Sequence, residues 1–543
     1  MFSGDFLVNV LEEYNLVRKN HCEVDLKFAL CYPSTYAVGM SSLGFRLIYT
    51  LINMREDVAC ERIFYVPKER PRSVESGLEL NKFDVVGFSL QYEEDYVNLV
   101  RMLLNSGIPL RRTERSENDP LIIAGGICAV ENPMPLSDFI DVFVVGDGEV
   151  LIERLIDTCI EEKEKHAQME ALSKVDGFYV PGFNYRKIKR VWCKSIEDIF
   201  CPTGQVIPAK EEKGLTPIFG RSFLLEIARG CERGCRFCLI GFCGRPRRVR
   251  GERKLRQFME EGVRQSGVRK ITLIAPSISG LKIADLCWEA VNAGLEISLP
   301  SISIDAVTDD LLDAIVEGGQ RTVTIAPEAG TENMRIRINK LFSDDEIIAT
   351  AEKIAERGLG LKTYFMIGLP HEEEEDVNAV AKLIDKMAGK NGRRRLKVSL
   401  NPFIPKPHTP FAWVPQNPLP ILRSKKAQLQ KLLRGKRVSL EGMDLKKAFI
   451  EALLSLGGRE VCHVIELAAL YGGGLGGWRR ALKESKVKVG HICDFRSPDE
   501  EQPWEIIDVG VNKGFLIREW ERAVDGVQTP PYSRCKECMV CDN

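Results

Sequence analysis

Hydrophobic and polar positions alternate in a repeating order along the first part of the chain. Asp25–Cys31 is a short apolar run that ends at Tyr32-Pro33. Ser41–Met54 then places Leu43, Leu47, Ile48, Leu51 and Ile52 at the spacing of one helix face. Arg62–Val66 reads as a second strand. Asp84–Leu90 reads as a third, followed by helical spacing through Tyr96, Leu99, Val100, Leu103 and Leu104. Leu121–Ala124 runs into Gly125-Gly126. Val142–Val145 runs into Gly146-Asp147-Gly148-Glu149, and Val150–Ile160 is again helical. Short apolar strands separated by helices predict a doubly wound α/β domain with a parallel sheet over residues 1–165. Ligands on such sheets bind beyond the carboxyl ends of the strands. Those ends are rich in Gly, Ser and Pro here, as close approach of backbone to a ligand requires.

Residues 166–215 are irregular and read as a linker. A charged helix is expected just before it at Glu161–Lys165, and an isolated strand-like piece lies at Gly177–Pro181. A second alternation occupies residues 216–417. Its strands are Phe223–Ala228, Lys270–Ala275, Glu296–Leu299, Thr322–Ala326, Leu361–Ile367 and Lys397–Leu400, with helices such as Ile283–Ala293 and Asp309–Glu317 between them. Six such units are too few for an eight-fold barrel and suit a partial, open (β/α)6 barrel. Residues 418–530 read as helical, including Ser424–Leu433, Leu445–Leu456 and Glu460–Leu470. The tail 531–543 cannot form a core.

Composition narrows the class. The chain has 543 residues with 44% hydrophobic and 28% charged, ordinary values for several globular domains. The net charge is -1, so no global field draws it to nucleic acid or acidic lipid. Apolar runs fall short of the roughly 18 residues a membrane span needs. Met1-Phe2-Ser3-Gly4-Asp5 lacks the basic start of a signal peptide, which predicts a cytoplasmic protein.

Seventeen cysteines argue against a secreted disulfide scaffold. Cys22, Cys31, Cys60, Cys128, Cys159, Cys193, Cys201, Cys287, Cys462 and Cys493 are scattered and read as small buried hydrophobes. Two sets are grouped: Cys231, Cys235, Cys238 with Cys243 nearby, and Cys535, Cys538, Cys541. Cys231-Glu232-Arg233-Gly234-Cys235-Arg236-Phe237-Cys238 directly follows a predicted strand. Three thiolates on one tight loop can ligate three irons of a [4Fe–4S] cube and leave the fourth open to a small molecule. A zinc site would need a fourth ligand that no nearby His supplies. The tail triplet, C-x2-C-x2-C, could grip an auxiliary iron–sulfur cluster or zinc, or be a flexible tail.

At the first loop the chain resembles the radical S-adenosylmethionine (radical SAM) superfamily, whose signature is C-x3-C-x-aromatic-C after the first strand of a partial barrel. Thr324-Ile325-Ala326-Pro327-Glu328-Ala329-Gly330 resembles the fourth-strand segment whose Glu contacts the ribose of S-adenosylmethionine in many members. Phe365-Met366-Ile367-Gly368-Leu369-Pro370 resembles the fifth strand and its adenine-facing turn. The segment Asn401–Pro410 is similar to a sixth-strand segment of methylthiotransferase-like members. The resemblance thus implies S-adenosylmethionine contacts at Phe237, Glu328, Gly368 and Asn401. Two segments depart from it. Ala275-Pro276-Ser277 stands where a Gly-Gly-Glu stretch is usual, and Ser301-Ile302-Ser303 stands where relatives often carry an Arg. The implied chemistry is one-electron cleavage of S-adenosylmethionine to a 5′-deoxyadenosyl radical, with a ferredoxin or flavodoxin as electron donor.

A doubly wound, Rossmann- or flavodoxin-like domain before such a barrel resembles the cobalamin-binding domain of radical SAM methylases. The matching pieces are Ser89 and Gln91 after strand three, Gly125 and Gly126 after strand four, and Gly146 after strand five. After strand one, Ser34-Thr35-Tyr36-Ala37-Val38-Gly39 occupies the place of the D-x-H-x-x-G motif, with Tyr36 where the cobalt-ligating His would stand. The resemblance therefore implies cobalamin without a protein histidine on cobalt. The alternatives are a ligand-free interaction domain, or the iron–sulfur domain of a methylthiotransferase, which would bring three further cluster cysteines. Nearly the whole chain is similar to an uncharacterised family of cobalamin-domain radical SAM proteins, including Gly514–Glu521 and the terminal Cys triplet.

Arg245, Arg247, Arg248, Arg250, Arg253 and Lys254 form a basic stretch after the cysteine loop; Arg393–Arg395 and Lys425–Arg437 add others. RNA contact is one reading. The favoured one is a solvated face or partners for the acidic run Glu372–Glu375. His408 reads as a turn residue rather than an acid–base group. Together these features predict a cobalamin-dependent radical SAM enzyme, a C-methyltransferase of unknown substrate. The rivals are RNA methylthiolation and a non-catalytic iron–sulfur or RNA-associated scaffold.

Overall fold

The computed structural model describes residues 12–184, 186–392, 394–488, 490–530 and 537–540. The apolar runs of the first region become a six-stranded sheet: β1 (Leu26–Tyr32), β2 (Val58–Phe64), β3 (Val85–Ser89), β4 (Leu121–Gly125), β5 (Val142–Val144) and β6 (Phe178–Tyr179). Their order is β2-β1-β3-β4-β5-β6. The first five are parallel, and the chain reverses direction across the sheet between β1 and β3. That reversal opens a crevice at the carboxyl ends of the strands. β6 runs antiparallel to β5, so the Gly177–Pro181 piece assigned to a linker belongs to this sheet.

Both sheet faces are covered, which is why the strands are apolar on both sides. Helices Leu43–Asn53 and Gly148–Glu161 bury Phe45, Tyr49, Leu151 and Leu155 on one face. On the other, helix Tyr96–Ser106 packs with helices Leu445–Leu456 and Glu460–Leu470. Leu99, Leu103, Leu453, Val461 and Ile465 share one core there. The helical region beyond 418 therefore completes the N-terminal layer. No helix covers Glu161–Lys165: one ends at Glu161 and the next, Lys165–Ser173, begins at Lys165. That charged run offers no apolar side chain to bury. Cys22 is exposed, unlike the other scattered cysteines, which are buried.

The second region forms two parallel sheets: β7 (Phe223–Glu226), β8 (Lys270–Ile274) and β9 (Glu296–Ser298), then β10 (Thr322–Glu328), β11 (Gly360–Ile367), β12 (Leu396–Pro402) and β13 (Val438–Glu441). The Ile302 N–H donates to the Thr324 carbonyl at 2.9 Å, linking the two sheets across the gap after β9. β13 is a strand within the region beyond 418, whose pattern is mainly helical. It pairs parallel with β12, with Leu396 opposite Val438. Val438 and Leu440 alternate with Ser439 and Glu441, but the alternation spans only four residues next to the charged segment 434–437, too short to stand out as a strand. Among the described residues no helix is long and apolar enough to cross a membrane.

Candidate active site between the two sheets

The cysteine loop leaves β7 through a two-residue ladder, Ala228–Arg229 against Arg248–Val249. Gly230 (φ 75°) permits the turn; a Cβ there would lie 2.2 Å from the Gly244 carbonyl oxygen. Cys231 and Cys235 are buried and Cys238 is half-buried. Burial pushes the Cys231 and Cys235 thiols up to about 11, and each feels the charge of a neighbouring cysteine. The Lys340 ammonium acts in the opposite direction on Cys235 and Cys238.

Two buried side chains hold this loop. Asn339 Nδ2 donates to the Arg233 and Gly234 carbonyls, both at 3.1 Å. Arg236 Nε donates to Glu519 Oε2 at 3.0 Å, and its other nitrogens donate to the carbonyls of Ile336, Arg337 and Val527. Glu519 lies on helix Lys513–Asp525, so the C-terminal helix clamps the loop. Helix Ile240–Cys243 continues directly from Cys238. Its Phe242 shares a small core with Trp413, Phe515, Cys538 and Val540. Of the tail triplet, Cys538 is thus buried beside this helix, while Cys535 and Cys541 lie outside the described residues.

The four segments expected around S-adenosylmethionine converge. Phe237 packs against a core that includes Ala329 and Leu369, next to Glu328 and Gly368, and Phe403, two residues beyond Asn401. Glu328 has φ 69° and faces Lys340, with Oε1–Nζ 3.7 Å. Burial raises the Glu328 carboxyl and Lys340 opposes the rise. Gly368 (φ 79°) donates its N–H to Glu372 Oε2 at 2.7 Å, and Lys425 pairs with the same oxygen at 2.6 Å. Asn401 Oδ1 accepts from the Met443 N–H at 3.0 Å. In the two departing segments, Ser277 donates to Glu232 at 3.3 Å and Ser303 to Asp305 at 2.5 Å, so neither offers a cation. Lys340 is the charge that sequence reasoning missed. Its only local sign is a lone Lys followed by Leu341 and Phe342 and preceded by Ile338-Asn339.

A cavity of about 460 Å³ separates the carboxyl ends of the first sheet from the cysteine loop. Ser89, Gln91, Gly125, Gly126 and Gly146 line it, opposite Ile240, Cys243, Gly244 and Pro276. Tyr36 and Gly39 do not line it. Tyr36 is buried and donates its hydroxyl to Glu13 Oε1 at 2.5 Å. Gly39 makes room for Phe64, 2.5 Å from where its Cβ would stand. The glycine requirement also has a different cause from the one expected. A Cβ on Gly126 would lie 2.3 Å from the Leu90 carbonyl oxygen, and one on Gly146 would lie 1.9 Å from that of Val191. The chain's own backbone, not a ligand, demands both. No histidine is among the lining residues.

The basic stretch after the cysteine loop is largely buried, which corrects both the solvated-face and the RNA reading for Arg245, Arg248 and Arg250. Arg248 Nη1 meets Asp147 Oδ2 at 2.6 Å, and Arg250 Nη2 meets Glu226 Oε2 at 3.2 Å. Arg229 bridges Glu149 at 2.6 Å and Glu226 at 2.9 Å. Burial alone would raise the Asp147 carboxyl, but Arg229 and Arg248 hold it below its usual value. These pairs join the loop after β5 to the end of β7 along one cavity wall. Lys425 pairs with Glu372 of the acidic run, and Arg393 lies outside the described residues.

The donor set fits an iron–sulfur cluster: three thiols on one short loop, with an ammonium beside two of them. The cavity fits a large group wedged between two domains, its walls mostly apolar with hydroxyl and amide groups at Ser89 and Gln91.

The N-terminal domain model of radical SAM proteins matches residues 44–181, and the radical SAM superfamily model matches residues 225–384. An uncharacterised protein of Methanocaldococcus jannaschii is 30% identical over 444 residues, 81% of this chain and 90% of that one. The chain belongs to the radical SAM superfamily. Further away, a tRNA-2-methylthio-N(6)-dimethylallyladenosine synthase of Herminiimonas arsenicoxydans is 22% identical over 364 residues, 61% of this chain and 77% of that one. Among solved structures the fold is similar to the radical S-adenosylmethionine methyltransferase TsrM of Kitasatospora setae, solved with cobalamin and a [4Fe–4S] cluster bound. The TM-score is 0.50 at 13% identity, covering 72% of this chain and 76% of that one.

Proposed function

We propose that the protein is a cobalamin-dependent radical SAM enzyme that transfers a methyl group to a carbon atom of its substrate. The observation that carries this reading is the cavity. One wall is the switch point of a doubly wound sheet, and the other is the helix that continues from Cys238. A cofactor held at the sheet edge and another on the cysteine loop would stand on opposite sides of this one cleft. When bound, they supply one-electron cleavage of S-adenosylmethionine and a transferable methyl group.

The chain's own residues have defined tasks. Cys231, Cys235 and Cys238 would lose their thiol protons to ligate iron. Glu328, the Gly368 turn and Asn401 would orient S-adenosylmethionine, and Lys340 would offer the charge for its carboxylate that the segments Ala275-Pro276-Ser277 and Ser301-Ile302-Ser303 lack. Ser89, Gln91, Gly125, Gly126 and Gly146 would line the corrin. The Arg248–Asp147 and Arg229–Glu149 pairs close the wall against water. A ferredoxin- or flavodoxin-like donor would supply the electron. RNA methylthiolation is less well supported. Cys31 and Cys60 sit within strands, Cys128 lies on a helix and Cys22 is exposed, so these N-terminal cysteines offer no cluster triad.

Anaerobically purified protein should bind cobalamin, and the cob(II)alamin form should lack axial nitrogen splitting in electron paramagnetic resonance. Replacing Cys231, Cys235 and Cys238 with Ala should abolish 5′-deoxyadenosine formation. A clear nitrogen triplet or no cobalamin binding overturns the cavity assignment; continued 5′-deoxyadenosine formation overturns the loop assignment.

A further inference from the structure

We propose that Lys406, Glu93, Glu131 and Glu451 form a proton-holding lock that fastens three parts of the chain together behind the cavity wall. Lys406 lies on the segment leaving β12, Glu93 lies in the turn after β3, Glu131 ends the helix Ile127–Glu131 that follows β4, and Glu451 lies on helix Leu445–Leu456. The Lys406 ammonium donates to Glu93. It also stands 2.9 Å from Glu451 Oε1, 3.0 Å from Ser455 Oγ and 3.9 Å from Glu131 Oε1. Ser455 donates to Glu93 at 2.5 Å, and Tyr92 donates to Glu451 Oε2 at 2.7 Å. The three carboxyl side chains are 3%, 1% and 7% exposed in the order Glu93, Glu131, Glu451.

The charge count decides the protonation. Three ionised carboxylates around one ammonium would leave two negative charges uncompensated in a buried space, which is costly. Glu131 Oε1 is buried without a hydrogen-bond partner, whereas Glu93 takes the ammonium and the Ser455 hydroxyl. Glu131 therefore carries a proton, which cuts the uncompensated charge from two to one, and Glu93 carries the charge nearest Lys406. The directions agree. Burial, then the charge of Glu93, pushes Glu131 up, while Lys406 overcomes burial to hold Glu93 down. Burial also raises Glu451. Other groups facing the lock are Tyr96 and Cys128, both raised by burial, and Asp95, pushed up to about 7 by burial and Glu94. Glu94 itself pairs with Lys447, and buried His408, lowered to about 3, stays neutral. Ligand atoms of Glu93, Cys128 and Glu131 lie within 4.8 Å of one another, a spacing a metal ion could use, but the cation here is the lysine.

The position gives the lock its consequence. Gln91 and Val130 line the cavity, and Glu93 and Glu131 lie just beyond them in sequence. The lock thus pins two cavity-lining loops to the barrel. It does not depend on which cofactors the cavity holds. A carboxyl raised in the folded state contributes stability that is full below the unfolded carboxyl range and is lost as pH rises through its folded value.

The test uses the full chain with E131Q and E93Q. Infrared spectra at neutral pH should show a protonated carboxylic-acid carbonyl band that E131Q diminishes; a residual band from the other raised acids, Asp95, Glu451 and Glu328 among them, remains. E131Q, an isostere of the protonated acid, should change the unfolding constant by no more than about fivefold and flatten the loss of stability toward alkaline pH. E93Q removes the carboxylate that takes both the ammonium and the Ser455 hydroxyl, leaving Glu451 as the remaining partner, and should raise the unfolding constant at least about tenfold. Unchanged infrared spectra in E131Q, or equal destabilisation by the two variants, overturns the proposal. If E93Q does not fold, the infrared and pH comparison of E131Q with the wild type decides alone.

Discussion

Replacing Arg236 with Met tests whether the C-terminal helix holds the cysteine loop. Arg236 is 0% exposed and its partner Glu519 is 1% exposed. The substitution removes that ion pair and the donors to the Ile336, Arg337 and Val527 carbonyls. Breaking a buried pair from one side costs about 3–5 kcal/mol, because the remaining charge is left in a poor solvent. Glu519 keeps Arg522 and the Thr529 hydroxyl, so the lower end, about 3 kcal/mol, is expected. Thermal unfolding of R236M should shift down by several degrees, and iron retained after anaerobic desalting should fall. The double variant R236M/E519M buries no unpaired charge and should recover part of the stability but not the iron, since Met cannot tie the loop to the three carbonyls. Wild-type melting and iron content in R236M would refute the clamp. A double variant as unstable as R236M would refute the role of the stranded charge.

Two further predictions concern charge and metal. K340M should weaken equilibrium binding of S-adenosylmethionine about tenfold or more, with K340R restoring much of it, since a hydrogen bond to a charged group is worth about 1.5–3 kcal/mol; unchanged binding would remove Lys340 from the site. A chain ending at Thr529 should lose about four irons or one zinc relative to the full chain if Cys535, Cys538 and Cys541 bind metal. Equal metal content would assign Cys538 to packing against Phe242 and Trp413 alone.

What the sequence by itself determined is what depends on near neighbours. Helix Leu445–Leu456 and helix Glu460–Leu470 were legible to the residue, because apolar spacing every three or four positions is a local signal. The Cys231–Cys238 loop was legible for the same reason: all its ligands lie within one turn of chain. Ser89, Gln91, Gly125, Gly126 and Gly146 could be placed on one edge because strands of a doubly wound sheet end together. Tyr36 could not, since only packing shows that its hydroxyl turns to Glu13. Strand β13 escaped because its alternation, Val438 and Leu440 with Ser439 and Glu441, is only four residues long, and pairing with β12 makes them a strand. The charged pairs were decided entirely by tertiary structure. Asp147 and Arg248 are 101 positions apart, Arg236 and Glu519 are 283, and Glu93 and Lys406 are 313. Such a charge reads as solvated from its own surroundings. Burial against a distant partner makes it a clamp, because an ion taken out of water has to be paired where the fold leaves it.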